Sequence, residues 1–343
     1  MKHRTGTLIC LVVIIFTVIG ISVYRSIRLP SPDVMITAKG YVTMDELDLE
    51  VFAPHGFRLM GETDTILLLD FIQKPTCEEV FDEWLKIALA NDQYRVPPKI
   101  IPPSLAKKYL MNGHAHLIEE YRSDRPEGQE HVWSQIPKWL EMPEDELYKI
   151  SLYGKPGMAV YHAFMLHPLN GKVGFVIGSQ TPWVEVFALL NGAKTVTTVE
   201  YQHLKINGTE KVRYMHPIEF AKNWRKYKGS FDFAASFSSV EHSGLGRYGD
   251  PMDPIGDLRE VWKTSCLLKK GGLFFLGLPR GSDTVVFNLH RIYGPLRLAM
   301  VMTGYELVAT FRDDSPVPAS LDRSHFDLGR GQFVQDLFVL RKL

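Results

Sequence analysis

GKVGFVIGSQTPWVEVFALLNGAKTVTTVE, residues 171–200, lays out a strand, a turn, a helix and a second strand in one short stretch. The run Gly171–Ser179 is apolar, short and closed by Gly-Ser, the pattern of a strand buried on both faces of a parallel sheet. Thr181 and Pro182 supply an N-cap and a first-turn proline. WVEVFALL then stops at Asn191-Gly192, a usual helix end. Thr195 to Glu200 is β-branched and ends in an acid. A strand, crossover helix and strand in this order predict a parallel α/β sheet.

The same alternation continues downstream. KVRYMH reads as a third strand, FDFAAS (Phe231–Ser236) as a fourth, and LFFLGLP (Leu273–Pro279) as a fifth. Between the last two, GDLREVWKTSCLL puts Leu258, Val261, Trp262 and Ser265 on one helical face. YELVAT and QDLFVL finish the chain as late strands. In such a sheet, ligands collect beyond the carboxyl ends of the strands, where the strand order reverses. Gly178, Ser179 and Gln180 lie past the first strand, where backbone N–H groups meet polar ligand atoms. Glu200 ends the second strand, 22 residues after Gly178, an offset at which an acid accepts ribose hydroxyls. SFSSVEHSGLGRYGDP, residues 236–251, follows the fourth strand and is expected to be a loop at the same edge.

FVIGSQTP, AKTVTTVE, FDFAASFSSVEH and LLKKGGLFFLGLP, in that order, resemble the core of class I S-adenosylmethionine-dependent methyltransferases. GLGRYGDP together with HRIYGPLR (His290–Arg297) further resembles domain-of-unknown-function family 268, which occurs in nematodes and in bacterial glycan-synthesis clusters. The resemblance covers residues 151–343. It implies a Rossmann-like, mostly parallel seven-stranded sheet with a late antiparallel strand. It also implies S-adenosylmethionine as cofactor, held by Gly178, Ser179, Gln180, Thr181, Glu200 and Ser236. One departure stands out: the usual G-x-G-x-G loop is here Gly178-Ser-Gln-Thr-Pro-Trp, in which the Ser179 and Thr181 hydroxyls stand in for close backbone approach.

His242 is the candidate general base, because a neutral imidazole takes a proton near pH 7. A structural histidine bonding the loop is the simpler alternative. Glu241 beside it either orients that ring or pairs with Arg247 or Arg259. Arg247, Tyr248 and Asp250 suit an acceptor sugar, and His290, Arg291 and Tyr293 are placed to close over it. Asp250, Asp253 and Asp257 with His242 compose a conceivable oxygen-and-imidazole metal set. Turns and a helix cap account for the same acids more simply, so no metal is expected.

The rest of the chain sets the context. Of 343 residues, 45% are hydrophobic and the formal net charge is zero, which gives nucleic-acid binding no support. Three cysteines make no disulfide framework; only a Cys77–Cys266 bridge is conceivable, and three unpaired thiols are the simpler expectation. Leu8–Tyr24 is free of charge and about 25 Å long as a helix. Residues 1–29 thus read as a tail and signal-anchor spanning 8–24, with a lumenal domain in the endoplasmic reticulum or Golgi. The sequon at Asn207 agrees with that placement. Residues 30–150 read as an α+β extension, with a strand at Thr65–Phe71, a capping box at Thr76 and a helix opened by Ser104 that runs through His114 and His116. The expected function is a membrane-anchored methyltransferase acting on a glycan or other hydroxylated small-molecule acceptor. A secretory-pathway nucleotide-sugar glycosyltransferase and a non-catalytic scaffold are the alternatives.

Overall fold

A computed structural model describes residues 34–90, 96–124 and 130–343. The apolar run Leu8–Tyr24 lies outside the described residues, and among these no helix is long and apolar enough to cross a membrane. Before the central sheet come hairpin β1 (Val34–Thr37) and β2 (Gly40–Thr43), hairpin β3 (Phe57–Glu62) and β4 (Leu67–Phe71), helices α1 (Cys77–Leu89) and α2 (Pro103–Tyr109), and strands β5 (His116–Glu120) and β6 (His131–Trp133). There follow α3 (Met158–Leu166), β7 (Val173–Ile177), α4 (Trp183–Leu190), β8 (Thr195–Val199), β9 (Leu204–Ile206), β10 (Val212–Met215) and α5 (Pro217–Lys222). The chain continues with β11 (Phe231–Phe237), α6 (Gly256–Leu267), β12 (Leu268–Gly281), β13 (Thr284–Asn288), β14 (His290–Ile292), α7 (Pro295–Met302), β15 (Tyr305–Arg312) and β16 (Phe333–Lys342).

The seven-stranded sheet runs in the order β10-β8-β7-β11-β12-β16-β15, and only β16 is antiparallel to its neighbours. This is the mixed sheet the segment order leads one to expect. The strand order reverses between β7 and β11. Ile177 pairs with Val199 and Val176 with Ala235, so the tips after β7, β8 and β11 point the same way at one edge. Helix packing closes both faces. Phe175, Ala234, Phe274 and Leu258 lie in one apolar core, and Val176, Phe187, Ala235 and Phe275 in the other.

The region before the central sheet pairs with later segments in two smaller sheets. β5 runs parallel to β13, and β6 parallel to β9. Thr76 caps α1 with the expected capping box, and Phe81 of α1 stacks on Trp224 at 5.1 Å. Contrary to the expectation of free thiols, Cys77 at the start of α1 is disulfide-bonded to Cys266 on α6. Packing of α1 across α6 brings the two cysteines together over a separation of 189 residues, which no local pattern announces.

The helix expected from Ser104 through His116 stops at Tyr109. Met111 and Asn112 take positive φ, and the chain turns into β5. His114 is buried, with Nε2 2.9 Å from Glu50 Oε2 and Nδ1 3.2 Å from Thr37 Oγ1, so it ties the N-terminal hairpin down.

Candidate functional site

A cavity of about 760 Å³ opens at the edge shared by β7, β8 and β11, within the size range of small-molecule sites. Its floor is the glycine turn. Gly178 has φ +69°, and a Cβ there would meet Ser239 Oγ at 1.9 Å and approach Glu200 Oε2 at 4.0 Å. The Gly178 N–H donates to the Val199 carbonyl, which binds the two strand tips together. Glu200 lines the cavity, and burial raises its carboxyl above the usual range. One oxygen accepts from the Gln202 N–H at 3.1 Å.

Thr181 was expected to cap α4, but no side-chain cap forms there. Ser179 and Thr181 both line the cavity, and their hydroxyls are buried with no hydrogen-bond partner among the described residues. Buried hydroxyls are costly when unpaired, which sets these two apart in the turn. Gln180 lies on the same wall. Ser236, by contrast, stays inside the sheet, because β11 runs on to Phe237; Phe237, Ser238 and Ser239 face the cavity in its place.

The loop after β11 answers to its glycines and its acid. Asp250 accepts from the N–H groups of Gly244, Gly246 and Tyr248 at 2.7, 2.9 and 3.2 Å. Gly244, at φ +87°, passes so close to the chain that a Cβ would lie 2.0 Å from the Asp253 carbonyl. Asp250 therefore borders the cavity while its carboxylate is committed to the loop. Asp253 pairs with Arg259 at 2.7 Å, and Asp257 with Arg297 and the Tyr293 hydroxyl. The three acids thus serve separate partners.

His242 lies on the cavity wall, its ring otherwise enclosed by protein. Nδ1 is 2.6 Å from the Leu289 carbonyl. A carbonyl only accepts, so Nδ1 carries the proton and Nε2 keeps a lone pair. Burial, then the nearby Arg247 charge, push the imidazole down to about 3. His290, also lining the cavity, is pushed down to about 4 by burial. Tyr248 meets the His242 ring edge-on at 5.2 Å, and Phe333 meets His290 at 5.2 Å. Arg247 lies over the Tyr248 ring at 4.7 Å, donates to Asp124 at 2.7 Å and reaches the Leu289 carbonyl at 3.4 Å.

Three of the expected site residues point elsewhere. Glu241 is fully buried and accepts from the Ser238 hydroxyl at 2.6 Å; the Leu289 carbonyl, not Glu241, orients His242. Arg291 faces away from the cavity because side chains alternate along β14, where His290 faces in. Its guanidinium gathers the carbonyls of Glu241, Ser243, Asp253 and Pro254. Tyr293 is likewise buried, on Asp257. Five donors in a rigid fork suit convergent carbonyls of a tight loop.

Burial pushes Glu241 up to about 7, which has a consequence for stability. The folded carboxyl keeps its proton to about pH 7, while the unfolded one loses it near the ordinary carboxylate value. Its contribution is complete below that ordinary value and is lost as pH rises through 7. Glu241→Gln escapes this loss. Denaturant titrations should therefore show the variant gaining on the wild type between about pH 5 and pH 7.5; a constant difference would refute the raised value.

Several cavity residues carry no sequence signal. Arg122, Asp124, His131, Leu152 and Tyr153 come from the segment before the sheet, where no chemical motif marks them. Tyr153 packs edge-on against Phe237 at 5.0 Å, and burial pushes its phenol up to about 12. Glu185, the one acid inside the apolar helix WVEVFALL, was also passed over. It is fully buried, and the Thr198 hydroxyl donates to its Oε1 at 2.7 Å while Oε2 has no partner among the described residues. Burial pushes it up to about 7, and the Thr198 hydroxyl draws it back.

Among solved structures, the chain is similar to the Burkholderia thailandensis 1,6-didemethyltoxoflavin-N1-methyltransferase with bound 1,6-didemethyltoxoflavin and S-adenosylhomocysteine. The identity is 15% over 55% of this chain and 79% of that one, with a TM-score of 0.37. It is similar to a Listeria monocytogenes protein assigned as an S-adenosylmethionine dependent methyltransferase, at 13% identity over 55% of this chain and 99% of that one, TM-score 0.34. A Streptococcus thermophilus protein assigned as a hemolysin is similar at 14% over 54% and 65%, TM-score 0.35. At these scores the likenesses carry no weight for function. No curated protein matches the chain. A family profile does match, over residues 171–343, the region that builds the sheet and most of the cavity's chemistry. With that match over half of its length, the chain belongs to the family described as Caenorhabditis protein of unknown function, DUF268.

Proposed function

We propose that the protein is an S-adenosylmethionine-dependent methyltransferase acting on a hydroxylated acceptor such as a glycan. The observation that carries this reading is the crevice itself, where Gly178, Glu200 and two unpaired hydroxyls converge at the reversal point of a parallel sheet. The residues fit the cofactor. Glu200 is placed for ribose hydroxyls, and Ser179 and Thr181 for the amino-acid end. When bound, that group supplies an electrophilic methyl on a sulfonium. The chain's own part is positioning, which dominates such transfers. Pushed down to about 3, His242 is a weak base for the proton, and its Nε2 lone pair serves to accept a hydrogen bond that orients the acceptor's hydroxyl. Neutral His290, Tyr248, Tyr153 and Phe333 offer an aromatic, uncharged wall of the kind that stacks on sugar rings, and the Arg247–Asp124 pair offers hydrogen-bonding groups at the rim.

The chain is further proposed to be membrane-anchored through residues 8–24, with this domain in an oxidising compartment. The Cys77–Cys266 bridge supports that, since such bonds persist outside reducing cytosol. The sequon residue Asn207 is exposed. The single-glycine turn is the feature that favours a non-catalytic scaffold as the second reading.

Calorimetry decides between them. The full-length protein should bind S-adenosylhomocysteine, and His242→Ala should keep that binding while losing methyl transfer by roughly tenfold, the scale of one orienting hydrogen bond. No heat at millimolar ligand would refute the enzyme reading and favour the scaffold.

A further inference from the structure

We propose that Ser238 and Glu241 form a proton relay, in which Ser238 takes the proton of the reacting hydroxyl and hands its own to Glu241. Ser238 is the catalytic residue, and Glu241 acts only through it. The inference rests on the cofactor reading above and supplies the base that the low-lying His242 does not.

Position carries the argument first. β11 ends at Phe237, and Ser238 and Ser239 follow it on the cavity wall. Ser239 closes on the glycine turn, its Oγ 1.9 Å from where a Gly178 Cβ would stand. Three residues on, His242 bonds the Leu289 carbonyl at the acceptor's wall. The segment Ser238–His242 thus joins the cofactor's turn to the acceptor's side. Within it Ser238 takes φ +54°, which residues with a side chain rarely adopt. Two bonds hold it there. Its N–H donates to the Gly277 carbonyl at 3.1 Å, and its hydroxyl to Glu241 Oε1 at 2.6 Å. Backbone strain of this kind collects at functional sites. Glu241 itself is 1% exposed, and an amide or apolar side chain would fill the same space without desolvating an acid.

Donor count sets the direction. A serine hydroxyl has one proton and two lone pairs. With the proton directed at Glu241, Ser238 Oγ keeps a lone pair for an incoming O–H. As the acceptor oxygen bonds the methyl carbon, its proton passes to Ser238 Oγ and the serine's own proton passes to Glu241 Oε1. The carbon–sulfur bond breaks with its electron pair left on sulfur. Sulfonium and carboxylate charges vanish together, leaving an ether, a thioether and a carboxylic acid. On a sugar-like acceptor, the hydroxyl that His242 holds stands beside the one that reacts. Burial places Glu241 at about 7, near the pH at which a base serves best. Around it stand Arg247 and Tyr248 of its own loop, Tyr153, and Tyr293 beyond β14. Arg291 of β14 donates to its backbone carbonyl; Asp257 of α6 is paired with Arg297, and Arg280 of β12 with Asp336.

Two ligands test the relay without any acceptor. S-adenosylmethionine carries the sulfonium charge, and S-adenosylhomocysteine lacks it. A positive charge facing the relay favours ionised Glu241, so binding the first ligand should drive a proton off that carboxyl. Calorimetry on the full-length protein gives the ratio of the two affinities from pH 6 to pH 8. A downward shift of about one pH unit, the size a nearby opposite charge produces, raises that ratio about fivefold over this range. The wild type should show this rise, and Glu241→Gln should lack it. Glu185 and Glu200, also raised by burial, act on both affinities and drop out of the ratio. Ser238→Ala removes the bond that favours the ionised acid, so the rise should move up by roughly one pH unit. A wild-type ratio no steeper than that of Glu241→Gln, or a Ser238→Ala rise left in place, would overturn the relay. If Glu241→Gln does not fold, the Ser238→Ala displacement alone decides. Wild-type protein that binds both ligands with a flat ratio would keep the cofactor crevice and sink the relay. Wild-type protein that binds neither would sink both.

Discussion

Gly178→Val should reduce S-adenosylhomocysteine affinity by more than about 100-fold, since displacing a binding turn by an ångström has effects of that size. Two independent penalties meet at this position. At φ +69° a β-branched residue is strained whatever surrounds it, and its Cβ would lie 1.9 Å from Ser239 Oγ. The turn would have to shift off the Val199 carbonyl that now accepts its N–H, and with it the spacing to Glu200. The two penalties are separable. Gly178→Ala combined with Ser239→Gly removes the clash and keeps the strain, so it should recover part of the affinity. Full affinity in the valine variant, measured by calorimetry, would mean that ligand binds elsewhere in the cavity.

Loss of the Cys77–Cys266 bridge is the second large effect. A bridge closing 189 residues removes roughly 5 kcal/mol of unfolded-state freedom in the loop-entropy treatment, and removing native bridges costs about 2–5 kcal/mol in practice. Cys266→Ser should therefore lower the melting temperature by roughly 3–7 °C for a chain of this size. The effect extends to the site. The bridge holds α1 against α6, and Phe81 of the one and Glu260, Lys263, Thr264 and Leu267 of the other form a single cavity wall. Lys263 is itself held there, over the Trp84 ring at 3.7 Å and against Glu260 at 2.5 Å. S-adenosylhomocysteine should bind the variant more weakly, and a reductant should reproduce both effects in the wild type. An unchanged melting temperature under reduction would show that α1 is held by packing alone.

Read from the amino acids alone, the candidate site is legible where one residue's chemistry sits at the end of one strand. Gly178, Glu200 and His242 are of that kind, since an apolar run, its last residue and the turn that follows are all local. His290, Arg291 and Tyr293 were read together as one loop closing over the acceptor, and only His290 faces the cavity, because the facing of the strand His290–Ile292 depends on which partner it pairs with. Glu241 and Ser236 were misplaced for a similar reason: β11 continued one residue further than its apolar run, and each later side chain moved with it.

What the sequence by itself determined is the order of the seven strands of the central sheet, with helices α4 and α6 between them, because these follow from periodicity and backbone preference over a few neighbours. Only the tertiary structure decided that Cys77 meets Cys266, that Asp124 holds Arg247, that the Leu289 carbonyl sets the His242 tautomer, and that Thr198 holds Glu185. Those contacts join segments that sit far apart along the chain or on different elements. They exist only once the sheet has chosen its strand order and the buried polar groups have found, or been denied, a partner.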